Sequence, residues 1–376
     1  MDFIFTIGIF ISLFQFVLLL NKKSKSLSDK ILTLWMLVIA IHLTSYHLYQ
    51  LGYWIKYPHL VGVTAPLPFL YGPFVYLYVS HSLKNQNGLS VKDYLHFLPV
   101  ALSYLYLFKF FFFYSAEQKR MVDSGEINDF GIFSFVMLIG FVISGIAYSY
   151  FSYQQLNKYD SLLDDNLSNT DRVDLNWLKG LIWGVAVLFV FVAIMVVTRD
   201  IMGLQYTFNV DFILYSIIIS GILLLGYFGI RHQNIFTDNI VVTVQSSGSY
   251  YKSGLKESDA HRIKNKLLLI MEEEKPYLEP KLSLSSLAEI LQVSPNHLSQ
   301  IINQSQSVNF NDFVNRYRVE EFIRLSSENK NYSLLAIALE AGFNSKSSFN
   351  KIFKKHKGMP PSQFLAQQKT NTPGSA

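Results

Sequence analysis

Hydrophobic positions along this chain fall into two regimes that meet near Arg231. Before it, apolar residues run almost unbroken for about 20 residues at a time, the length at which a helix crosses a bilayer core. Such runs lie near 3–20, 31–51, 60–80, 94–114, 131–153, 177–198 and 210–230. After Arg231, apolar residues recur three and four positions apart, the period of helices with one buried face. The expected fold is all α: a polytopic helical membrane bundle of about seven spans, followed by a smaller domain of amphipathic helices.

Details within the runs refine that expectation. The third contains Pro66, Pro68, Gly72 and Pro73, and the fourth contains Pro99. Proline removes a hydrogen bond from the helical ladder, so these spans are expected to be kinked. The first run lacks a basic leader and a small-residue cleavage site, which reads as a retained span. Lys22, Lys23, Lys25 and Lys30 lie in the first loop, Lys84 and Lys92 in the third, and Lys158 and Arg172 in the fifth. The alternate loops hold Lys56, Lys119, Arg120 and Arg199. By the positive-inside rule this is a multi-pass protein of the inner (cytoplasmic) membrane, with its N-terminus outside and the segment after Arg231 in the cytoplasm.

Composition agrees with a membrane half. Charged residues make up 16% of the 376, against about 25% in an ordinary soluble protein. The 31 Phe and 23 Tyr suit lipid-facing and interfacial positions. Without a cysteine, disulfides and thiol chemistry are excluded. Ionisable residues inside spans are candidate function, because lipid burial disfavours them. His42 and His47 lie in the second run, His96 and Lys109 in the fourth. Lys109 is near enough to the outer end to snorkel, and His96 starts its run at an interfacial position. His42 and His47, five apart, do not share a helix face, so they read as packing or hydrogen-bonding groups. No paired carboxylates, HExxH, phosphate-cradling loop or nucleophile elbow occurs. No enzyme activity, cofactor or metal is expected.

The domain reading is therefore 1–230 as a transmembrane sensor, 231–258 as a linker, 259–368 as a helical output domain and 369–376 as a disordered tail. Ser, Gly and Asn accumulate around Gln245–Gly254, with a short strand allowed at Val241, Val242 and Val244.

The output domain repeats one unit twice. Ser283 is placed to cap a helix whose Leu284, Leu287, Ala288 and Leu291 share a face. Ser294 caps the next helix, with Pro295 at its first position. Leu298, Ile301 and Ile302 face inward, leaving Asn296, His297, Ser299, Gln300 and Asn303 outside or flanking. In the second copy Ser333 caps a helix with Leu334, Ile337 and Ala338 inward. Gly342 supplies a positive-φ turn, Phe343 plugs the core and Ser345 caps the last helix. Phe349, Ile352 and Phe353 form that helix's inner stripe. Lys346, Ser347, Asn350, Lys351, Lys354 and Lys355 lie on its outer face, with no acidic residue from Ser345 to Lys357. A basic, amide-bearing helix after a tight glycine turn has the chemistry of a helix-turn-helix recognition element.

These residues resemble the AraC/XylS family of transcription regulators across 262–366. The segments that carry the likeness are LSSLAEILQVSPNHLSQIINQ, NRYRVEE and LLAIALEAGFNSKSSFNKIFKKHKGMPPSQF. YYKSGLKESDA, LLLIMEEEKPYLEP, YGPFVYLYVS and the HFLP beginning at His96 resemble membrane-anchored bacterial members. The resemblance implies a cytoplasmic double helix-turn-helix domain whose two recognition helices enter successive major grooves of double-stranded DNA. It makes Asn296, Ser299 and Gln300 the base-facing candidates of the first helix, with His297 among its DNA-binding residues. Those of the second are Lys346, Ser347, Ser348, Asn350 and Lys351, with Lys354 and Lys355 as phosphate contacts. Asn and Gln pair bidentately with adenine and Lys with guanine, while phosphate contacts add affinity without specificity. Two positions depart from the family pattern. Gln292 stands where glycine is usual, at about 1 kcal/mol for a left-handed residue. Phe322 replaces a usually small residue.

Taken together, the sequence reads as a membrane-bound transcription regulator, its partners being DNA, the lipid bilayer and a stimulus of unknown identity. The aromatic spans and short loops favour an apolar ligand, a peptide or bilayer stress. A homodimer is compatible with membrane confinement. The competing reading is a transporter or channel-like protein with a DNA-binding regulatory tail.

Overall fold

A computed structural model of the protein describes residues 2–83, 88–168, 175–198, 202–204, 206, 210–231, 257–328 and 331–371. The chain divides into two compact units, Met1–Asn157 with Leu175–Asn239, and Lys158–Asp174 with Ile240–Ala376. Among the described residues there are helices and no strand, with one isolated antiparallel bridge between Leu167 and Ser283.

In the first unit, α1 (Asp2–Leu20) packs along α2 (Leu27–Gln50). Ser26 starts α2 with a capping box: its hydroxyl accepts from the Asp29 N–H at 3.1 Å, and the Asp29 carboxylate accepts from the Ser26 N–H at 2.9 Å. Two of the helix's orphan donors are satisfied in this way. Beyond α3 (Tyr53–Lys56) the chain makes 3-10 turns at Pro58–Leu60 and Leu67–Leu70 before α4 (Tyr71–Ser82). The third apolar run is thus not one continuous kinked helix. Pro66 and Pro68 prevent a continuous helix, and the 12 residues of α4 rise only about 18 Å, against roughly 30 Å of hydrocarbon core. Trp35, Met36, Ile39 and Leu43 of α2 and Phe74 and Leu77 of α4 are buried in this region.

The fourth run is built from shorter pieces: α5 (Val91–Tyr94), a 3-10 turn at Leu95–Phe97, α6 (Leu98–Tyr106) and α7 (Phe108–Phe113). Pro99 begins α6, where a missing N–H breaks no bond. The short α8 (Ala116–Asp123) precedes α9 (Gly131–Asn166), whose 36 residues extend about 54 Å. Then follow α10 (Asn176–Val196) and α11 (Val210–Arg231). Among the described residues, five stretches combine the length and apolarity needed to cross a membrane: Phe3–Leu20, Leu27–Gln50, Val91–Phe113, Gly131–Asn166 and Asn176–Met195. Seven were expected. The third run is broken by its prolines, and the seventh, as the 22-residue α11, is itself long and apolar.

Three histidines of this unit are engaged by aromatic neighbours. His42 Nδ1 lies 2.5 Å from the Tyr71 hydroxyl, His96 Nδ1 lies 2.8 Å from the Tyr148 hydroxyl, and His47 stacks on Phe5. Lys109 is exposed.

The second unit contains α12 (Glu257–Glu273), a 3-10 turn at Pro276–Leu278, α13 (Leu284–Leu291), α14 (Pro295–Gln306), α15 (Phe310–Glu328), α16 (Leu334–Glu340), α17 (Lys346–Lys357) and α18 (Pro361–Asn371). It has two apolar cores, both reached by α15. One gathers Leu267, Met271, Leu287, Leu298, Ile302 and Phe313. The other gathers Phe322, Ile337, Phe343, Phe349 and Phe353. The sequence boundary near 230 leaves 158–174 with the membrane half, whereas the structure groups those residues with the C-terminal unit. Most of the expected linker, including Val241, Val242 and Val244, lies outside the described residues, as do Lys84, Arg172, Arg199 and residues 372–376 of the tail.

Candidate nucleic-acid interface

Each half of the C-terminal unit is a helix, a tight turn and a second helix started by a serine. In the first, the Ser283 hydroxyl accepts from the Ser286 N–H at 3.1 Å and the helix ends at Gln292 with φ 57°. The Gln292 N–H donates to Glu289 O and the Val293 N–H to Ala288 O, closing the end of α13. Gln292 takes the left-handed conformation despite its Cβ. The Ser294 hydroxyl then accepts from the His297 N–H at 3.2 Å and starts α14 with Pro295 in its first turn. A serine cap of this kind contributes about 1 kcal/mol. Leu298, Ile301 and Ile302 are buried. Asn296 is exposed, and His297, Ser299 and Gln300 are half-buried on the flank.

In the second half, the Ser333 hydroxyl accepts from the Ala336 N–H at 3.2 Å, and the Ser345 hydroxyl from the Ser348 N–H at 3.1 Å. Gly342 has φ +91°, and a Cβ there would stand 2.4 Å from Tyr277 O. Glycine is required twice over, by conformation and by contact. Phe343 and Phe349 meet at 5.2 Å between ring centroids. Phe322 fills the space between α15 and α17, 4.5 Å from Phe349 and 5.5 Å from Phe353. The large side chain at this position is therefore core.

The exposed face of α17 carries Lys346, Ser347, Asn350, Lys351, Lys354 and Lys355. Two expectations need correction. Ser348 is only 6% exposed. It stands four residues before Ile352 and so shares the flank of the inner stripe, turned away from the base-facing side. Leu334 is 37% exposed and does not face inward; as the first residue of a seven-residue helix it precedes the turn that reaches the core. Lys355 Nζ lies 2.5 Å from the Asp312 carboxylate and Lys357 Nζ 2.7 Å from that of Glu320. Exposed pairs of this kind are worth about 0–1 kcal/mol, so Asp312 is a weak competitor for Lys355.

One feature of the domain has no local signal in the sequence. Arg318 is 1% exposed, and its guanidinium donates to Tyr277 O at 2.7 Å, Glu279 O at 2.9 Å and Asn315 Oδ1 at 3.2 Å. Burial lowers its pKa to about 10, leaving it cationic near neutrality. Arg318 follows Val314 and precedes Phe322 by four residues each, and so occupies the buried stripe of α15. Beside it, hydrogen bonds from Arg324 and Lys275 hold the Glu321 carboxylate below its usual range.

The sequence of this region matches the family described as a helix-turn-helix domain over residues 287–367. Similar curated proteins include the transcriptional regulatory protein YesN of Bacillus subtilis (strain 168), 32% identical over 91 residues, or 24% of this chain and 25% of that protein. An uncharacterized HTH-type transcriptional regulator of Staphylococcus aureus (strain COL) is 36% identical over 83 residues, 22% of this chain and 11% of its own length. The melibiose operon regulatory protein of Escherichia coli (strain K12) is 32% identical over 93 residues, 24% of this chain and 30% of its own. The chain thus spans well under half of these relatives. No solved structure matches. The likeness and the double helix-turn-helix geometry coincide: the C-terminal unit carries an AraC-type helix-turn-helix domain.

Proposed function

We propose that the protein is a membrane-bound, sequence-specific DNA-binding transcription regulator, in which the apolar N-terminal unit senses a stimulus and the C-terminal unit reads DNA. The observation that carries this reading is the presence, in one chain, of membrane-length apolar stretches, five among the described residues, and an AraC-type double helix-turn-helix domain. On this reading Asn296, His297, Ser299 and Gln300 address one major groove, and Lys346, Ser347, Asn350 and Lys351 the next. Lys354 contacts phosphate, and Lys355 does so by exchanging Asp312 for a phosphate oxygen. With all seven runs as spans, the bundle lies in the cytoplasmic membrane with the N-terminus outside and the DNA-binding domain in the cytoplasm, the arrangement that the loop charges favour. A stimulus acts by binding one packing of the bundle better than another, and confinement to the bilayer favours a homodimer.

Genome-wide DNA occupancy of the full-length protein in its native membrane, beside a Lys346→Ala/Lys351→Ala variant, tests this directly. Sharp sites that vanish in the variant are the expected result, since each specific contact is worth about 1–3 kcal/mol. Absence of specific sites for the full-length protein, together with vesicle flux of a solute, would instead make the bundle a transporter.

A further inference from the structure

The Arg318 guanidinium is completed by a residue far away in sequence. Ser168 O accepts from Arg318 Nη1 at 3.1 Å and from Asn315 Nδ2 at 3.1 Å, and the Ser168 hydroxyl accepts from Arg318 Nη2 at 3.1 Å. That hydroxyl donates to Leu282 O at 2.6 Å, and the Ser168 N–H donates to the same oxygen at 3.2 Å. One position earlier, Leu167 O accepts from Asn311 Nδ2 at 3.1 Å, and Leu167 forms its bridge with Ser283. Ser168 is fully buried, as is Leu163 one turn before the end of α9. A short extended piece of chain is therefore hydrogen-bonded through its backbone and side chain, on a scale that loose surface contact does not produce.

The position of this seat gives it meaning. Leu282 and Ser283 open the first helix-turn-helix unit, and Asn311, Asn315 and Arg318 belong to the helix joining the two units. Arg318 Nε also holds Tyr277 O, the atom against which the Gly342 turn of the second unit is packed. The guanidinium thus ties together the entrance of the first unit, the connecting helix and the turn of the second. Two recognition helices read two grooves only at a fixed mutual angle, and the residues that fix the angle surround Ser168.

We propose that Leu167–Ser168, at the end of α9, is an intrachain docking segment whose seat is the Arg318 cluster, and that its occupancy sets the mutual arrangement of the two helix-turn-helix units. The proposal rests on the regulator reading above, and it adds a route. α9 contributes Gly131–Asn157 to the apolar unit and its remaining turns to the DNA-binding unit. A displacement along α9 reaches the Arg318 cluster without passing through residues 231–258. Unseating leaves buried Arg318 and Asn315 donors without Ser168 as acceptor, a state that a folded interior disfavours strongly. Seating and DNA binding are then linked, and by reciprocity each strengthens the other.

The test uses the full-length protein in phosphatidylethanolamine–phosphatidylglycerol nanodiscs. Amide hydrogen exchange is measured for wild type and Ser168→Ala, and with and without DNA selected from a random pool by the wild type. Ser168→Ala should speed exchange at 277–283 and 311–318 by roughly tenfold, the loss expected when a buried donor is left short of an acceptor. The selected DNA should slow exchange at 162–168. A Leu167→Cys/Ser283→Cys pair gives a second arm. Bridged residues stand within disulfide reach, and the chain has no other cysteine, so a disulfide should form within one chain under mild oxidation. Unchanged exchange in Ser168→Ala together with no disulfide would overturn the seat. Bound DNA that leaves 162–168 unaltered would reduce the contact to packing and overturn the coupling. Failure to select any DNA would sink the regulator reading, and the exchange and cysteine arms decide the seat without it.

Discussion

In the first helix-turn-helix unit, the positions of α14 open to a ligand carry amides, a histidine and a hydroxyl: Asn296, His297, Ser299 and Gln300. In the second, the exposed face of α17 carries Lys346, Lys351, Lys354 and Lys355. Both helices start on a serine cap and bury an aliphatic or aromatic stripe, so the scaffolds are the same and the chemistry on them is not. Amide groups discriminate between base edges, and ammonium groups attract the whole phosphate chain. The difference assigns most of the electrostatic affinity to the second unit and leaves the first to add selectivity. Their turns differ too. The first reverses through Gln292, which has a side chain, while the second reverses through Gly342, which cannot have one.

The most severe way to break this comparison is Gly342→Ala. A left-handed alanine with its Cβ against Tyr277 O should destabilise the C-terminal unit by about 2–4 kcal/mol, from backbone strain and the forced shift together. Thermal unfolding of the full-length protein in nanodiscs, followed by exchange in 334–357, would show it. Near-wild-type protection there would mean the turn is softer than its geometry. A second experiment sharpens the contrast in charge. Lys354→Ala/Lys355→Ala should lower the slope of log affinity against log salt by about 2, one for each phosphate-contacting cation lost. Asn296→Ala/Gln300→Ala should leave that slope in place while weakening discrimination by about 1–3 kcal/mol per contact. Equal slopes in the two variants would erase the proposed division of labour. The smallest effect belongs to Gln292→Gly, expected to stabilise the first unit by about 1 kcal/mol by relieving the left-handed penalty, read as a raised midpoint in the same unfolding measurement.

What could be read from the sequence was local. Ser283, Ser294, Ser333 and Ser345 each sit just before an apolar stripe of helical period, and each caps as expected. Gly342 and Gln292 were legible because a turn between two amphipathic helices needs a left-handed residue. Leu334 and Ser348 were misplaced for a shared reason. A stripe read at single-residue precision does not say how wide the buried flank is, or where a seven-residue helix first meets its core. The third apolar run differs from a kinked helix because a hydrophobic count registers Pro66 and Pro68 as bends, while the chain answers them with 3-10 turns. The Arg318 cluster was beyond reach altogether. Its partner Ser168 is 150 residues away, and a serine in a polar loop carries no period, cap or motif to mark it.

The length of α9 carries one more consequence. A rod of about 54 Å exceeds a hydrocarbon core of roughly 30 Å by about 16 residues. If α9 spans, a thinner bilayer is met by greater tilt, and tilt about a pivot is magnified along the protruding arm. Such a helix is a lever, and membrane thickness becomes a mechanical input whose output is the excursion of its far tip.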